Sequence, residues 1–144
     1  MVRYLTSRHP DLPSGFVQGQ ATLMSQRGTS ELIYTEEGVF EATDVPTRSI
    51  TKSYIWSNDD KGISVNFDNG DKPKTLFHTL IFHKESLCSA IIANTMPHKC
   101  GSDIYKSNYS FKKDNNDRLV KWTVEHIVNG PFKNYDSITT FSRC

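Results

Sequence analysis

Side-chain character in this chain alternates with a period of two, segment after segment, and no stretch sustains the 3.6-residue period of a helix. The clearest run lies near the middle. Asp103, Tyr105, Ser107, Tyr109 and Phe111 take every second position, with Ile104, Lys106, Asn108 and Ser110 between them. In a strand these two sets fall on opposite faces. One face then carries an acid, two phenols and an aromatic ring, where a plain core strand would show Val, Ile and Leu. His98 and Cys100 stand just upstream. The stretch reads as one wall of a polar, ring-lined pocket.

The same alternation recurs along the chain. A strand over 16–26 puts Val17, Gly19, Ala21 and Leu23 on one side, the small residues suiting a tightly curved wall. Residues 31–35 and 39–43 read as two strands joined by a turn at Glu36-Glu37-Gly38. In 47–57, Arg48, Ile50, Lys52, Tyr54 and Trp56 share a face. Ile63, Val65 and Phe67 alternate next, and Asp68-Asn69-Gly70-Asp71 is a hairpin signal. Leu76, His78, Leu80 and Phe82 follow on one face. The segment 86–93 fits a strand or a short helical turn, and its neighbours favour the strand. Val120, Trp122, Val124, His126 and Val128 align in 119–128; Tyr135, Ser137, Thr139, Phe141 and Arg143 align in 135–143.

Nine or ten short strands joined by turns, in one 1–144 domain, indicate an all-β fold, a sandwich or an up-and-down barrel. Closure removes the exposed edges that so many antiparallel strands would otherwise present. A barrel of that strand number also has room for one small ligand inside. We therefore expect a single antiparallel up-and-down β-barrel.

Charge and composition narrow the partners. Seventeen basic and sixteen acidic side chains give a net charge of +1 and are spread along the chain, so nothing marks a phosphate-tracking surface, and nucleic acid is not expected. The longest apolar run, Ala90-Ile91-Ile92-Ala93, is far shorter than a membrane span. The start, Met1 to Thr6, carries no apolar signal-peptide core, and Cys88, Cys100 and Cys144 make an odd count without CxxC spacing. Both point to a cytoplasmic protein, with a Cys88–Cys100 bridge as the minority alternative. A homodimer stays open.

Several segments resemble a family of small calycin-like (lipocalin-like) β-barrels catalogued as a domain of unknown function. They are Gly15-Phe16-x-x-Gly19-x-Ala21, Tyr34-x-Glu36-x-Gly38, Arg48 with Tyr54 and Trp56, Phe67-Asp68, and Phe77-His78. His98-x-Cys100-x-x-Asp103-x-Tyr105, Trp122-x-Val124 and Gly130-Pro131-x-Lys133-x-Tyr135, leading to Thr139 and Arg143, complete the pattern. The His-x-Cys-x-x-Asp-x-Tyr and Gly-Pro-x-Lys-x-Tyr blocks are its specific parts. The family pattern begins with a further strand carrying Gly and Trp, so one barrel wall is expected to be short or supplied differently here. The resemblance implies a barrel with a shared polar cluster and no established activity.

Candidate roles follow from residue chemistry. His78 is either a satisfied core histidine or a pocket acid or base, since its charge is decided by modest burial or a nearby carboxylate. Asp103 and Tyr105 are the other proton-handling candidates. Arg143, if it points inward with Tyr135 and Thr139, presents a planar donor fork to a carboxylate, enolate or carbonyl, and needs Asp103 or Glu36 to offset its desolvation. Arg48 and Lys52 join it as anion-handling groups. Tyr54, Trp56, His98, Tyr109, Trp122 and Tyr135 are expected around a ligand, with aromatic core packing as the plainer reading for at least half of the rings. Cys100 is read as a small buried residue rather than a nucleophile, and no metal or cofactor is expected. The sequence leans towards a cofactor-independent isomerase or cyclase acting on a small molecule, with a carrier of an amphipathic or carboxylate-bearing ligand as the alternative.

Overall fold

The computed structural model describes residues 1–83 and 90–143. Eleven strands follow one another: β1 (Val2–Ser7), β2 (Gly15–Ser25), β3 (Leu32–Ala42), β4 (Val45–Asp59), β5 (Gly62–Phe67), β6 (Thr75–Phe82), β7 (Ala90–Thr95), β8 (His98–Cys100), β9 (Asp103–Lys113), β10 (Leu119–Asn129) and β11 (Tyr135–Ser142). Each of β1 to β6 pairs antiparallel with the next. β9 then joins β7, and β10 and β11 bring the sheet back to β1. Ten strands thus close into an antiparallel up-and-down barrel, as expected from the alternation. β8 is extra, lying along β9 just past the end of β7, where Cys100 meets Asp103 through the positive-φ turn at Gly101. No helix among the described residues is long and apolar enough to cross a membrane.

Two sequence expectations change here. Residues 31–43 do not break at Glu36-Glu37-Gly38; β3 runs straight through them. The glycine there serves a close crossing, not a turn. Gly38 lies opposite Gly19 of β2, and a Cβ on Gly19 would stand 2.0 Å from the Glu37 carbonyl oxygen. Strand continuity carries the alternation Tyr34, Glu36, Gly38 on one face, and so turns the Glu36 carboxylate into the barrel. The Leu76–Phe82 alternation also shifts. A register irregularity between Val65 and Asn66 lets the adjacent Phe77 and His78 both bury, while Leu76 is left 54% exposed. Part of 86–93 falls on residues 84–89, outside the described residues; its remainder is β strand in β7.

The core is aromatic. Tyr34, Trp56, Tyr109, Phe111 and Trp122 form one buried cluster, with Val65, Leu80 and Val124 filling between them and Phe141 packed against it. Trp56 and Trp122 stack at 5.7 Å, and Trp122 meets Phe141 edge-on at 4.8 Å. Each such pair contributes about 0.5–1.5 kcal/mol beyond its area burial.

Glycine positions give a direct check. Gly19→Ala pushes a methyl into backbone atoms of β3, which cannot rotate aside, so a loss of about 2 kcal/mol is expected. Gly70→Ala meets nothing within 4 Å and costs only its positive φ of 64°, about 1 kcal/mol. Urea unfolding followed by circular dichroism should order the two variants that way; a Gly19 variant as stable as wild type would contradict the close crossing.

Candidate functional site

Inside the barrel, β1, β3 and β11 bring together a charged group that only closure could assemble. Arg3 is 7% and Glu36 1% exposed. Arg3 Nη2 donates to Glu36 Oε2 at 2.7 Å, and Arg3 Nε donates to Thr139 Oγ1 at 2.7 Å. The Tyr34 hydroxyl donates to the same Glu36 Oε2 at 2.8 Å. Between Arg3 and Glu36 runs β2, whose inward residues at this level are Gly19 and Ala21; their small side chains let the guanidinium reach across.

These groups line a chamber of about 40 Å3, shared with Lys52, Tyr54, Trp56, Val65, Phe77, Tyr109, Trp122, Val124, His126 and Phe141. That volume has room for about two or three water molecules. Three buried polar atoms of the residues around it have no hydrogen-bond partner among the described residues: Glu36 Oε1 and the indole nitrogens of Trp56 and Trp122. An unpartnered buried polar atom costs about 1–3 kcal/mol, so three on one small chamber call for a polar occupant. Glu36 Oε1 accepts, and the indoles donate.

Burial sets the protonation states. Tyr34 is held far above the ordinary phenol range by burial and then by the Glu36 charge. Tyr54 is pushed up to about 12 by burial, then by Glu36. His126 is brought down to about 3 by burial, with the charges of His78, Lys52 and Arg3 adding to it; its Nδ1 bonds Ser107 Oγ at 2.7 Å. Lys52 faces Glu36 across the β3–β4 pairing. Crowding by the wall, followed by the Arg3 charge, lowers its ammonium to about 8. Lys52 is nevertheless exposed to solvent, which screens it and offsets much of that desolvation.

The expected residues divide between chamber and periphery. Tyr54, Trp56, Tyr109 and Trp122 line the chamber. His78 does not. It is 3% exposed, its Nε2 bonds the Tyr109 hydroxyl at 2.9 Å, and burial followed by the His98 charge depresses it to about 3. His98 is half-buried at the barrel mouth, with Phe77 5.3 Å and Tyr105 6.3 Å away. Tyr135 lies on the inward row of β11, its hydroxyl pushed above the ordinary range by burial. Arg48 is exposed near the end of its strand. Arg143 lies past the end of β11 and is exposed; the guanidinium inside the barrel belongs to Arg3 instead. Cys100 is an exposed free thiol rather than a buried one.

Arg143 borders a second, wider space. β1 pairs with only Gly15–Gln18 of β2, so the rest of β2 lies across a notch from the end of β11. The notch measures about 470 Å3 and is lined by Ala21, Leu23, Tyr34, Trp122, Phe141 and Arg143 among others. Tyr34, Trp122 and Phe141 border both spaces and form the partition between them.

The profile of one protein family, described as a family of unknown function (DUF6314), aligns with residues 1–143. The chain belongs to DUF6314. No curated protein and no solved structure matches it. In this DUF6314 chain the two specific sequence blocks turn out to be one physical device. Asp103 Oδ1 accepts from the backbone N–H groups of Phe132 at 3.1 Å and Lys133 at 3.2 Å, and Lys133 Nζ donates to the Tyr105 hydroxyl at 3.1 Å. A Cβ at Gly130 would stand 2.0 Å from Asp103 Oδ1, which explains the glycine. Asp103 and Tyr105 therefore hold the β10–β11 loop over the barrel end, and neither lines the chamber.

Two outcomes follow for this DUF6314 barrel. Asp103→Asn removes the charge from a buried acceptor of two N–H groups, so stability should fall by about 1–3 kcal/mol. Hydrogen exchange at the Phe132 and Lys133 amides should accelerate; unchanged protection there would refute the latch. Acid should also weaken the fold. His78 and His126 stay neutral in the barrel down to about 3, whereas the unfolded chain protonates them near 6.5. Stability is thus full above pH 6.5 and declines towards pH 3, by roughly 1.4 kcal/mol per pH unit for each histidine. Thermal melts between pH 7 and 4 should show the decline, and His126→Gln, which leaves His78 in place, should make it about half as steep.

Proposed function

We propose that the barrel binds a small polar molecule in its chamber and performs cofactor-independent acid–base chemistry on it, shifting a proton next to a carbonyl. One observation carries this reading. Glu36 lines the chamber and is almost fully buried, one of its oxygens is fixed by Arg3 and Tyr34, and the other is buried with no hydrogen-bond partner among the described residues. A free carboxylate oxygen held in place is the part a proton-abstracting enzyme needs. The partnerless indole N–H groups of Trp56 and Trp122 suit the carbonyl oxygen, which gains negative charge as the proton leaves. Glu36 Oε1 would take the proton from the carbon, and its return to the other end of the enolate would give the isomer. Seven ionisable side chains line this one space: Arg3, Tyr34, Glu36, Lys52, Tyr54, Tyr109 and His126. A simple carrier needs one anchor in an otherwise apolar cavity.

The notch favours a second reading. Its apolar walls and the Arg143 guanidinium at its rim suit an amphipathic, carboxylate-bearing ligand carried unchanged. The exposed free thiol of Cys100 suits a reducing, cytoplasmic setting for either activity.

Proton abstraction is measurable without the natural substrate. In D2O, NMR should show deuterium wash-in at the carbon beside the carbonyl of at least one member of a panel of small 2-oxo acids and ketones. Glu36→Gln keeps the shape and should slow it by about 10²–10⁴-fold, whereas Arg143→Ala should not. Exchange at the uncatalysed rate across the panel, together with native mass spectra free of bound small molecules, would end the enzymatic reading.

A further inference from the structure

We propose that the notch between β2 and β11 is a peptide-binding slot: an extended segment of a second polypeptide enters it and completes the barrel wall by strand pairing. The inference is independent of the chamber chemistry. It gives the notch an occupant with its own N–H and C=O groups, where the second reading above has a small amphiphile.

The backbone carries the argument. β1 pairs with β11 over Tyr135–Thr140 but with β2 only over Gly15–Gln18, and just beyond, Gly19 donates its N–H to the Met1 carbonyl oxygen at 3.1 Å. Successive residues of a strand direct their N–H and C=O groups to opposite sides. With Gly19 turned towards β1, Ala21 and Leu23 are turned the same way. Among the described residues no strand lies there, because β3 pairs with β2 from its other side. The opposite wall has the same character. Arg143 donates its N–H to the Val120 carbonyl oxygen of β10, so the preceding Ser142 turns its backbone away from β10 and into the notch. Barrel closure abolishes strand edges, and these two remain open.

Width and lining select the occupant. β1 holds β2 and β11 two inter-strand spacings apart, about 10 Å, so the opening at its end is one strand wide. A lone strand fits between the walls, whereas the edge of a second copy of this barrel does not. Ala21, Leu23, Tyr34, Trp122 and Phe141 give the notch an apolar lining. Lys121 and Arg143 line it too, and no carboxylate among the described residues does. The matching partner is an alternating peptide, with apolar side chains at every second position against the rings and an acid on its outward face near Lys121. In the register of β1, the peptide residues across from Ala21 and Leu23 face inward as Arg3 does, and their backbone groups meet the open ones of β2.

The capped peptide acetyl-Val-Thr-Val-Thr-Val-Glu-amide tests the slot on the full chain, with amide hydrogen exchange read by NMR. Binding should slow exchange at Ala21 and Leu23 at least about tenfold, and change Thr22, which is turned to β3, far less. N-methylation of the two valines across from Leu23 and Ala21 keeps every side chain and removes the pairing donors, so affinity should fall at least about tenfold. Leu23→Pro removes one slot-facing N–H without touching the β2–β3 bonds, and should weaken binding similarly. Exchanging the peptide's Glu for Gln should weaken binding to the wild type but not to the double variant Lys121→Ala, Arg143→Ala. Equal affinity of the N-methylated peptide would overturn strand pairing. Protection of Ala21 and Leu23 by dodecanoate but not by the peptide would return the notch to the small amphiphile. No response of either amide to millimolar peptide would overturn the slot and leave the chamber reading untouched.

Discussion

An arginine and a glutamate locked together in the dry middle of a barrel set the terms for everything around them. Removing either ion from water costs several kcal/mol, and their mutual attraction offsets this only with tight geometry and further hydrogen bonds. Arg3 and Glu36 meet both conditions, through a 2.7 Å contact and through Thr139 and Tyr34. The consequences spread outward. β2 must carry Gly19 and Ala21 where the guanidinium passes, and Gly38 must accept the backbone approach of β2. Three strands, β1, β3 and β11, become tied across the seam where the first and last strands meet.

That arrangement leaves one carboxylate oxygen and two indole N–H groups without partners among the described residues, in a barrel whose core holds many rings. Polarity and hollowness here have the same origin. Trp56, Trp122 and Phe141 are too rigid to collapse onto the ion pair, so a small space remains beside it. Tyr34, Trp122 and Phe141 divide this space from the apolar notch beside β1. At the other end, Asp103 spends its charge on the backbone of a loop, and Lys133 spans to Tyr105. The acid that is most prominent in the sequence is therefore structural. The one inside the chamber, Glu36, is hidden in what the sequence presents as a turn.

Much of the fold was legible. The inward rows of β2, β4, β9, β10 and β11 are the rows that alternation indicates, because a half-buried strand admits no other period. Tyr54, Trp56, Tyr109 and Trp122 were placed on the right face for the same reason. The candidate site was legible only in part. Arg3 lies in a six-residue strand too short to display a pattern, and Glu36 lies in a Glu-Glu-Gly tripeptide whose local chemistry favours a turn. The need for an internal arginine paired to Glu36 or Asp103 was readable; which arginine was not. Both Arg3 and Arg143 continue inward-facing rows, and only the register of β1 on β11 sets Arg3 beside Thr139 while Arg143 falls beyond the wall. The bulge opposite Val65, which buries Phe77 and His78 together, left no mark on the alternation either.

The sequence by itself determined that this chain is all strand, that its strands bend round a small-residue wall, and that phenols, indoles and imidazoles face inward. Side-chain period and residue size fix those features one strand at a time. Only the tertiary structure decided which charges meet. Arg3, Glu36 and Thr139 are brought into contact by closure of the sheet between β1 and β11, across separations of 33 and 136 residues. A carboxylate becomes a site through the water it loses and the partners it keeps, and both are properties of the closed barrel rather than of any segment.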